Sequence, residues 1–499
     1  MSARINLMTE RIYVAADIGA GSGRVIAGRF DGSRLRFEET NRFENAQTPL
    51  PGGLHWDLVA LYRNLLEGIR RAKALGAEPA SVGVDTWGVD FALVDAAGRL
   101  CGLPHAYRDP RLDGVMDETC AKLGRRRIYD ATGTQFMPIN TLYQLVAEAK
   151  SPASQLGRAA RFLMVPDLFD YWLSGVLSNE ITIASTSQCL DVRTRDWSWD
   201  LLDAAGLPRR IFGELVRPGT VLGPIRGLEG YDTKVVAVGT HDTASAVAAI
   251  PVPKEGAWGC LSTGTWGLVG AEIPEPVFSD EAFADSWTNE VGVTGGIRFM
   301  KNLTGMWIYQ ELNRAWRAQG EEVPYDRMTE MAAKARPFVS FIDPDAPEFQ
   351  RAGHMDEKIA AWCRRTGQPV PESKGAFARC ALESMVLRYK ELWGQLRRIT
   401  GVKRDGLNMI GGATRNALHC RMTADALGVP VLCGPTEGAC TGNVLVQMIA
   451  LGDLKDLAEA RELVRVSDPP IAYEPNRDTA AAWDSALARF SSIRVASLS

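Results

Sequence analysis

The 499-residue chain contains no C-x-x-C pair, no run of about 18 consecutive apolar residues and no excess of basic charge. Each absence narrows what the protein can be. Its nine cysteines, at 101, 120, 189, 260, 363, 380, 420, 433 and 440, are scattered and odd in number. That usage fits buried or free thiols in a reducing compartment better than a disulfide framework or a zinc site. Without a long apolar run there is no candidate membrane span, and Met1 to Arg11 lacks the apolar core of a signal peptide. The sequence therefore predicts a cytoplasmic protein. A net charge of −4 argues against a surface for nucleic acid or anionic membrane. The five histidines, His55, His105, His241, His354 and His419, show no metal-ligand spacing. No G-x-x-x-x-G-K-[ST] occurs, so a P-loop is excluded.

What the chain does have is a strand, a Gly-rich turn and a returning strand, written twice about half a chain apart. The first copy is Val14 to Gly28, with the turn at Gly19-Ala20-Gly21-Ser22-Gly23; the second is Trp258 to Gly270, with Ser262-Thr263-Gly264-Thr265. Small residues in a turn let backbone N–H groups approach a phosphate closely. In a dinucleotide fold a helix would follow the turn. Here Arg24 to Phe30 alternates, reaches Asp31-Gly32 and returns as Leu35 to Asn41, which predicts a β-hairpin. Two such clamps, one per half, point to a nucleotide held by two related lobes.

Size supports two lobes, because a single core stops growing at about 250–300 residues. Hydrophobic content of 46% and charged content of 23% are ordinary for a globular chain. The periodicity predicts a helix over Leu58 to Leu75 with Asp57 as N-cap, strands at Ser81 to Val84, Phe91 to Val94 and Lys234 to Val238, and a helix starting near Ala244 with Thr243 as its N-cap. Pro251, Pro253 and Gly256 then interrupt the pattern. This places an N-terminal lobe at 11–249, a C-terminal lobe at 250–470 and an extension at 471–499. In the second lobe the pattern predicts a long helix from Gly375 to Ile399, a strand from Leu407 to Ile410 and a helix from Asn416 to Leu427.

Four places carry candidate chemistry. Asp17 ends an apolar strand at the first turn, where an ionised carboxylate needs a cation or several donors. A water-mediated Mg²⁺ contact and a turn-stabilising Asx bond both answer that need. Thr263 and Thr265 offer hydroxyls to phosphate oxygens, or simply close an ordinary turn. Gly411-Gly412-Ala413 lies between a strand and a helix, where the backbone could approach a nucleoside, or merely turn. Asp242 follows an apolar strand, the position of a general base in an open α/β sheet, or the cap of the next helix.

Taken together, these motifs resemble the FGGY carbohydrate kinases. Asp17 to Arg24, His241-Asp242-Thr243, Ser262 to Trp266 and Gly411-Gly412 occur in that family's order. Asp85-Thr86-Trp87-Gly88-Val89-Asp90-Phe91, Gly102 to Asp109, Asn140 to Leu145, His241 to Val247, Lys301-Asn302-Leu303 with Gly305 and Trp307, and Ala424-Asp425-Ala426 are similar to its branch acting on L-rhamnulose. The resemblance runs from about Val14 to Leu451. It implies an α/β fold of two ribonuclease-H-like lobes, of the actin and hexokinase type, with ATP in the cleft between them. It further implies ATP contacts at Ala20, Gly21, Ser22, Gly23, Arg24, Thr265, Gln310 and Gly412, and Mg²⁺ near Asp17. Sugar contacts are implied at Gly88, His241, Asp242, Thr243 and Asn302, with Asp242 as proton acceptor. The expected partners are ATP and a small ketose, with no nucleic acid and no membrane; oligomeric state is left open.

Two departures stand out: Gly21 occupies a position where Ser is common, and Ala413 replaces a third glycine. Trp87 either offers an apolar face to the sugar's methyl group or fills core. The alternatives are a kinase for L-fuculose or another ketose and, from a different class, a non-metabolic actin-like ATPase. That last class needs no acceptor base beside a sugar pocket.

Overall fold

The computed structural model describes residues 10–498, so the sequence reading of the first residues falls largely outside it. Its contacts divide the chain into two compact units of mixed α/β structure. The first comprises Met1–Pro251, Glu272–Phe299 and Gly438–Pro469; the second comprises Val252–Ala271, Met300–Glu437 and Pro470–Ser499. The units are therefore discontinuous. Two later segments return to the first unit across the sequence-order division at 249, because its sheet has a second face to cover.

The first unit is built on a six-stranded sheet in the order Thr220–Pro224, Lys234–Ala237, Ser81–Thr86, Arg11–Ile18, Ser22–Phe30, Leu35–Glu44. Arg11–Ile18 runs antiparallel to Ser22–Phe30 and parallel to Ser81–Thr86, which in turn pairs parallel with Lys234–Ala237. A sheet with parallel strands at its centre is buried on both faces. The strand Arg11–Ile18 shows this directly. Ile12, Val14, Ala16 and Ile18 pack into one cluster with Leu61, Leu65 and Ile69 of the helix Leu58–Lys73. Tyr13 and Ala15 pack into another with Val444, Leu445 and Met448 of the helix Gly438–Ala450. The period-two alternation thus specifies two apolar faces, each needing a helix.

That second helix fits closely because of glycine. A Cβ on Gly442 would fall 1.7 Å from the carbonyl oxygen of Ser245 in the helix Asp242–Ala248. Side-chain bonds fix its register: Gln447 donates to the Val14 carbonyl at 2.9 Å, and Asn443 donates to Asp85 Oδ2 at 2.6 Å.

The second unit repeats the same pairing. Trp258–Thr263 is antiparallel to Trp266–Ile273 and parallel to Gly406–Ile410, which is parallel to Val431–Cys433. The duplication seen as two hairpins is therefore a duplication of sheet topology. The long helix runs Lys374–Thr400, with the Ser373 hydroxyl accepting from Ala376 N. All nine cysteines are free thiols, eight of them buried. Among the described residues no helix is long and apolar enough to cross a membrane.

Candidate active site

Parallel strands place their C-terminal ends side by side, and in the first unit those ends carry acids. Asp17 pairs in register with Asp85, and Thr86 bridges to His241. The backbone there is tied together: Thr86 N donates to Thr240 O at 2.9 Å, and Trp87 N donates to Ile18 O at 3.2 Å. The helix starts at Asp242 and not near Ala244, so Thr243 lies inside its first turn and is no N-cap. The reason is local, because Ala244 N and Ser245 N already bond to the His241 carbonyl, at 2.7 and 3.1 Å.

The Asp242 carboxylate is asymmetric. Thr243 N and Thr243 Oγ1 both donate to Oδ1, at 2.5 and 3.1 Å, and His241 Nε2 lies 3.5 Å from the same oxygen. Oδ2 is left without a donor in this set. Burial raises the Asp242 carboxyl above its ordinary value, and the Asp17 charge pushes the same way against the pull of His241 and Thr243. Solvent still reaches 31% of the side chain, which tempers the burial contribution. A carboxylate with one free oxygen and raised proton affinity is suited to general-base work.

Asp17 is held differently. Arg24 donates to its Oδ2 at 3.1 and 2.6 Å, and the Cys440 thiol approaches the same oxygen at 3.8 Å. The contacts again fall on one oxygen, leaving Oδ1 for a further partner. No group of three or more His, Cys, Asp or Glu side chains suited to a metal is found among the described residues. Mg²⁺ is commonly bound through one or two carboxylates, several waters and substrate phosphates, and Asp17, among these acids, fits that mode through Oδ1.

The turn after Asp17 closes through Gly19 N to Ser22 O at 3.0 Å, and Asn45 Nδ2 donates to Gly19 O at 2.8 Å. Gly21 and Ser22 stand exposed beyond that bond. A Cβ at Gly21 would meet nothing within 4 Å, so packing does not demand glycine there.

Gly88 sits in the loop after Ser81–Thr86. Val89 next to it has φ +72°, a conformation costly for a β-branched residue. Three side chains hold it: Val89 N donates to Thr186 Oγ1 at 3.2 Å, while Thr141 Oγ1 and Gln144 Nε2 donate to Val89 O at 2.6 and 3.2 Å. Trp87 is buried core, and its indole N–H donates to Asp90 Oδ2 at 2.9 Å, so it offers no open face. Trp56 Nε1, at 2.5 Å, and Gln144 Nε2, at 2.8 Å, also donate to Asp90. Burial nevertheless pushes Asp90 up to about 6.

In the second unit the structure brings the other turn and the Gly-Gly loop together. Gly264 N bonds Trp266 O at 2.9 Å, and Met306 N and Gly305 N bond Gly264 O and Thr265 O at 2.8 and 3.1 Å. Gly411 has φ +91°, and a Cβ there would lie 2.6 Å from Thr263 O. Gly412 beside it is open on its Cβ side. Thr265 is exposed at the tip, Gln310 lies one turn into the helix Trp307–Ala318, and Asn302 lies on the strand Ile297–Thr304.

Sequence reasoning missed the acids behind His241. Glu180 Oε2 accepts from Thr240 N and Oγ1, at 3.1 and 2.7 Å. Glu290 and Arg298 form a buried pair at 3.0 Å against the His241 ring. Their sequence spacing from His241 gives no signal; only the charge of Arg298 within the apolar start of its strand hints at a role.

Residues 12–248 match the N-terminal domain, and residues 259–451 the C-terminal domain, of the FGGY family of carbohydrate kinases. The chain is 39% identical over 483 residues to a rhamnulokinase of Bacteroides thetaiotaomicron, covering 96% of this chain and 98% of that one. It is 38% identical over 469 residues to a rhamnulokinase of Bacillus subtilis, covering 93% and 95%. Among solved structures, a xylulose kinase from Lactobacillus acidophilus superposes with TM-score 0.79 at 16% identity, covering 97% of this chain and 98% of that one. Plasmodium falciparum glycerol kinase with ADP gives 0.78 at 15% identity, covering 98% and 97%. The chain belongs to the FGGY family of carbohydrate kinases.

Proposed function

We propose that this kinase transfers the γ-phosphoryl group of ATP to the C1 hydroxyl of L-rhamnulose, giving L-rhamnulose 1-phosphate for L-rhamnose catabolism. What carries the choice of sugar is the near full-length likeness to proteins named rhamnulokinase. Asp242 Oδ2 accepts the hydroxyl proton as the C1 oxygen attacks phosphorus in line; the bond from phosphorus to the β–γ bridging oxygen breaks, and ADP departs.

In this reading Gly88, His241, Thr243 and Asn302 bind the ketose. Ala20, Gly21, Ser22, Gly23 and Arg24, with Thr265, Gln310 and Gly412, bind ATP. Asp17 would hold Mg²⁺ through water, and when bound the cation supplies neutralisation of phosphate charge. Positioning and charge neutralisation account for most catalysis of phosphoryl transfer. The setting is a cytoplasmic one.

The deciding experiment is a coupled ADP-release assay over a panel of ketoses. L-rhamnulose should give the highest kcat/KM. Equal or faster turnover of L-fuculose or D-xylulose would overturn the sugar assignment, and ATP turnover indifferent to every ketose would overturn the kinase reading itself.

A further inference from the structure

His241 lies between the base and a buried ion pair, and the atoms around its ring determine where its proton sits. Arg298 and Glu290 are 1% and 4% exposed. Arg298 Nη2 forms an ion pair with Glu290 Oε2 at 3.0 Å and stands 3.1 Å from His241 Nδ1, while its Nε donates to Val291 O at 3.2 Å. Thr288 Oγ1 donates to Glu290 Oε1 at 3.2 Å, so both ends of the pair are anchored on the same hairpin. Burial opposes the charge on Glu290, yet Arg298 beside it helps draw its carboxyl below the ordinary value, as expected of an ionised partner.

A guanidinium has only donors, so the ring nitrogen at 3.1 Å from Nη2 must present a lone pair. Glu290 Oε2 is farther from Nδ1, at 3.4 Å, and a proton on Nδ1 would be set against the Arg298 N–H. With Nδ1 accepting, the ring proton resides on Nε2. That nitrogen faces Asp242 Oδ1 at 3.5 Å, too far for a full hydrogen bond. Its N–H therefore remains available to a hydroxyl oxygen placed beside the carboxylate.

We propose that Arg298, oriented by Glu290, is a positioning residue that fixes His241 in the Nε2–H tautomer, so that this N–H binds a hydroxyl of the acceptor sugar next to Asp242. The tautomer stands on the geometry alone; only the identity of its acceptor rests on the kinase reading above. With Thr243 occupying Asp242 Oδ1 and His241 holding the sugar, the free Oδ2 is left to take the proton. Loss of Arg298 frees the ring to exchange tautomers or flip, and the sugar loses a donor of fixed direction.

The test is ring nitrogen spectroscopy on the full chain labelled with ¹⁵N-histidine, with His241 assigned by the signal lost in His241→Gln. The wild type at neutral pH should show an unprotonated Nδ1 and a protonated Nε2. In Arg298→Gln, and in the charge-neutral double variant Glu290→Gln/Arg298→Met, that pattern should give way to averaged tautomers. Ketose turnover should then fall about tenfold to a hundredfold, the usual effect of removing a group that orients a histidine, with ATP affinity retained; Arg298→Lys should recover part of the loss. A wild-type His241 protonated on Nδ1, or an unchanged ring pattern in folded variants, would overturn the proposal. If the variants fail to fold, the wild-type spectrum decides. A wild type that phosphorylates no ketose would sink the kinase reading and leave the tautomer result intact.

Discussion

Gly442 and Ser245 sit back to back: a Cβ on Gly442 would lie 1.7 Å from the Ser245 carbonyl oxygen. The helix that begins at Asp242 is thereby pinned to the helix Gly438–Ala450 at a distance only glycine permits. Gly442→Ala must push the two apart. We expect a loss of about 1–3 kcal/mol in stability, the usual result of overpacking, and a larger proportional loss in kcat than in ATP affinity. Calorimetric unfolding beside steady-state kinetics would check this. An unchanged melting temperature would show that the contact is relieved at no cost.

Asp242→Asn keeps an oxygen for the Thr243 donors and replaces the free oxygen with an amide. Turnover of the ketose should drop by at least ~10², the usual range for a lost general base, while ATP and sugar affinities stay within about tenfold. Near-normal turnover would remove Asp242 from the role.

Thr265→Val preserves shape at an exposed turn tip, and its cost in stability should stay within about 0.5 kcal/mol. Titration calorimetry should show weaker ATP binding, or transfer should slow, with sugar binding in the absence of nucleotide unaltered. If both ATP affinity and turnover are unchanged, the second turn is only a turn.

A methyl group on Gly88 would meet Thr186 Oγ1 at 3.1 Å, and that hydroxyl accepts from Val89 N at 3.2 Å. Gly88→Ala should therefore disturb the support of the strained Val89. We expect the ketose KM to rise about tenfold or more, as small misplacements at a binding site commonly do, with the ATP KM close to normal. Comparing the two KM values in one preparation checks it.

Asp90 carries a pH signature. Its carboxyl is buried and raised from 3.8 to about 6, so the folded state holds the proton more tightly than the unfolded one. The stability this contributes is fully present below about pH 4 and is lost as pH rises through about 6, on the order of 3 kcal/mol across that window. Urea unfolding of the wild type between pH 4 and 6 should show this downward contribution, and Asp90→Asn should flatten the slope. An identical slope in both proteins would show that Asp90 does not titrate there.

Much of this architecture was legible because local chemistry set it. Asp57 caps its helix by accepting from Ala60 N at 2.9 Å, as its place before Leu58 indicates, and the hairpin at Asp31-Gly32 forms where alternation and turn residues agree. The two Gly-rich turns stood out because each interrupts a pair of alternating strands with a cluster of small residues. The rest of the duplication is invisible in sequence, since equivalent strands need share only apolar alternation. The start of the Asp242 helix was misplaced by two residues because bonds to the His241 carbonyl decide it. Glu290 and Arg298 act on His241 from 49 and 57 residues away, and no local pattern encodes a contact of that kind. The return of Gly438–Pro469 to the first unit is equally non-local.

That return has a consequence for biosynthesis. A nascent chain that has emerged as far as Pro251 holds every strand of the first sheet, but the side bearing Tyr13, Ala15, Ile26 and Phe30 still lacks its cover. Those residues wait for Val444, Leu445 and Met448, which are translated only after most of the second unit. The first unit can therefore be completed only late in synthesis, and until then its half-covered sheet exposes apolar surface. A fragment ending at residue 249 is a poor autonomous body, since the first unit has all its pieces only once both 272–299 and 438–469 are supplied.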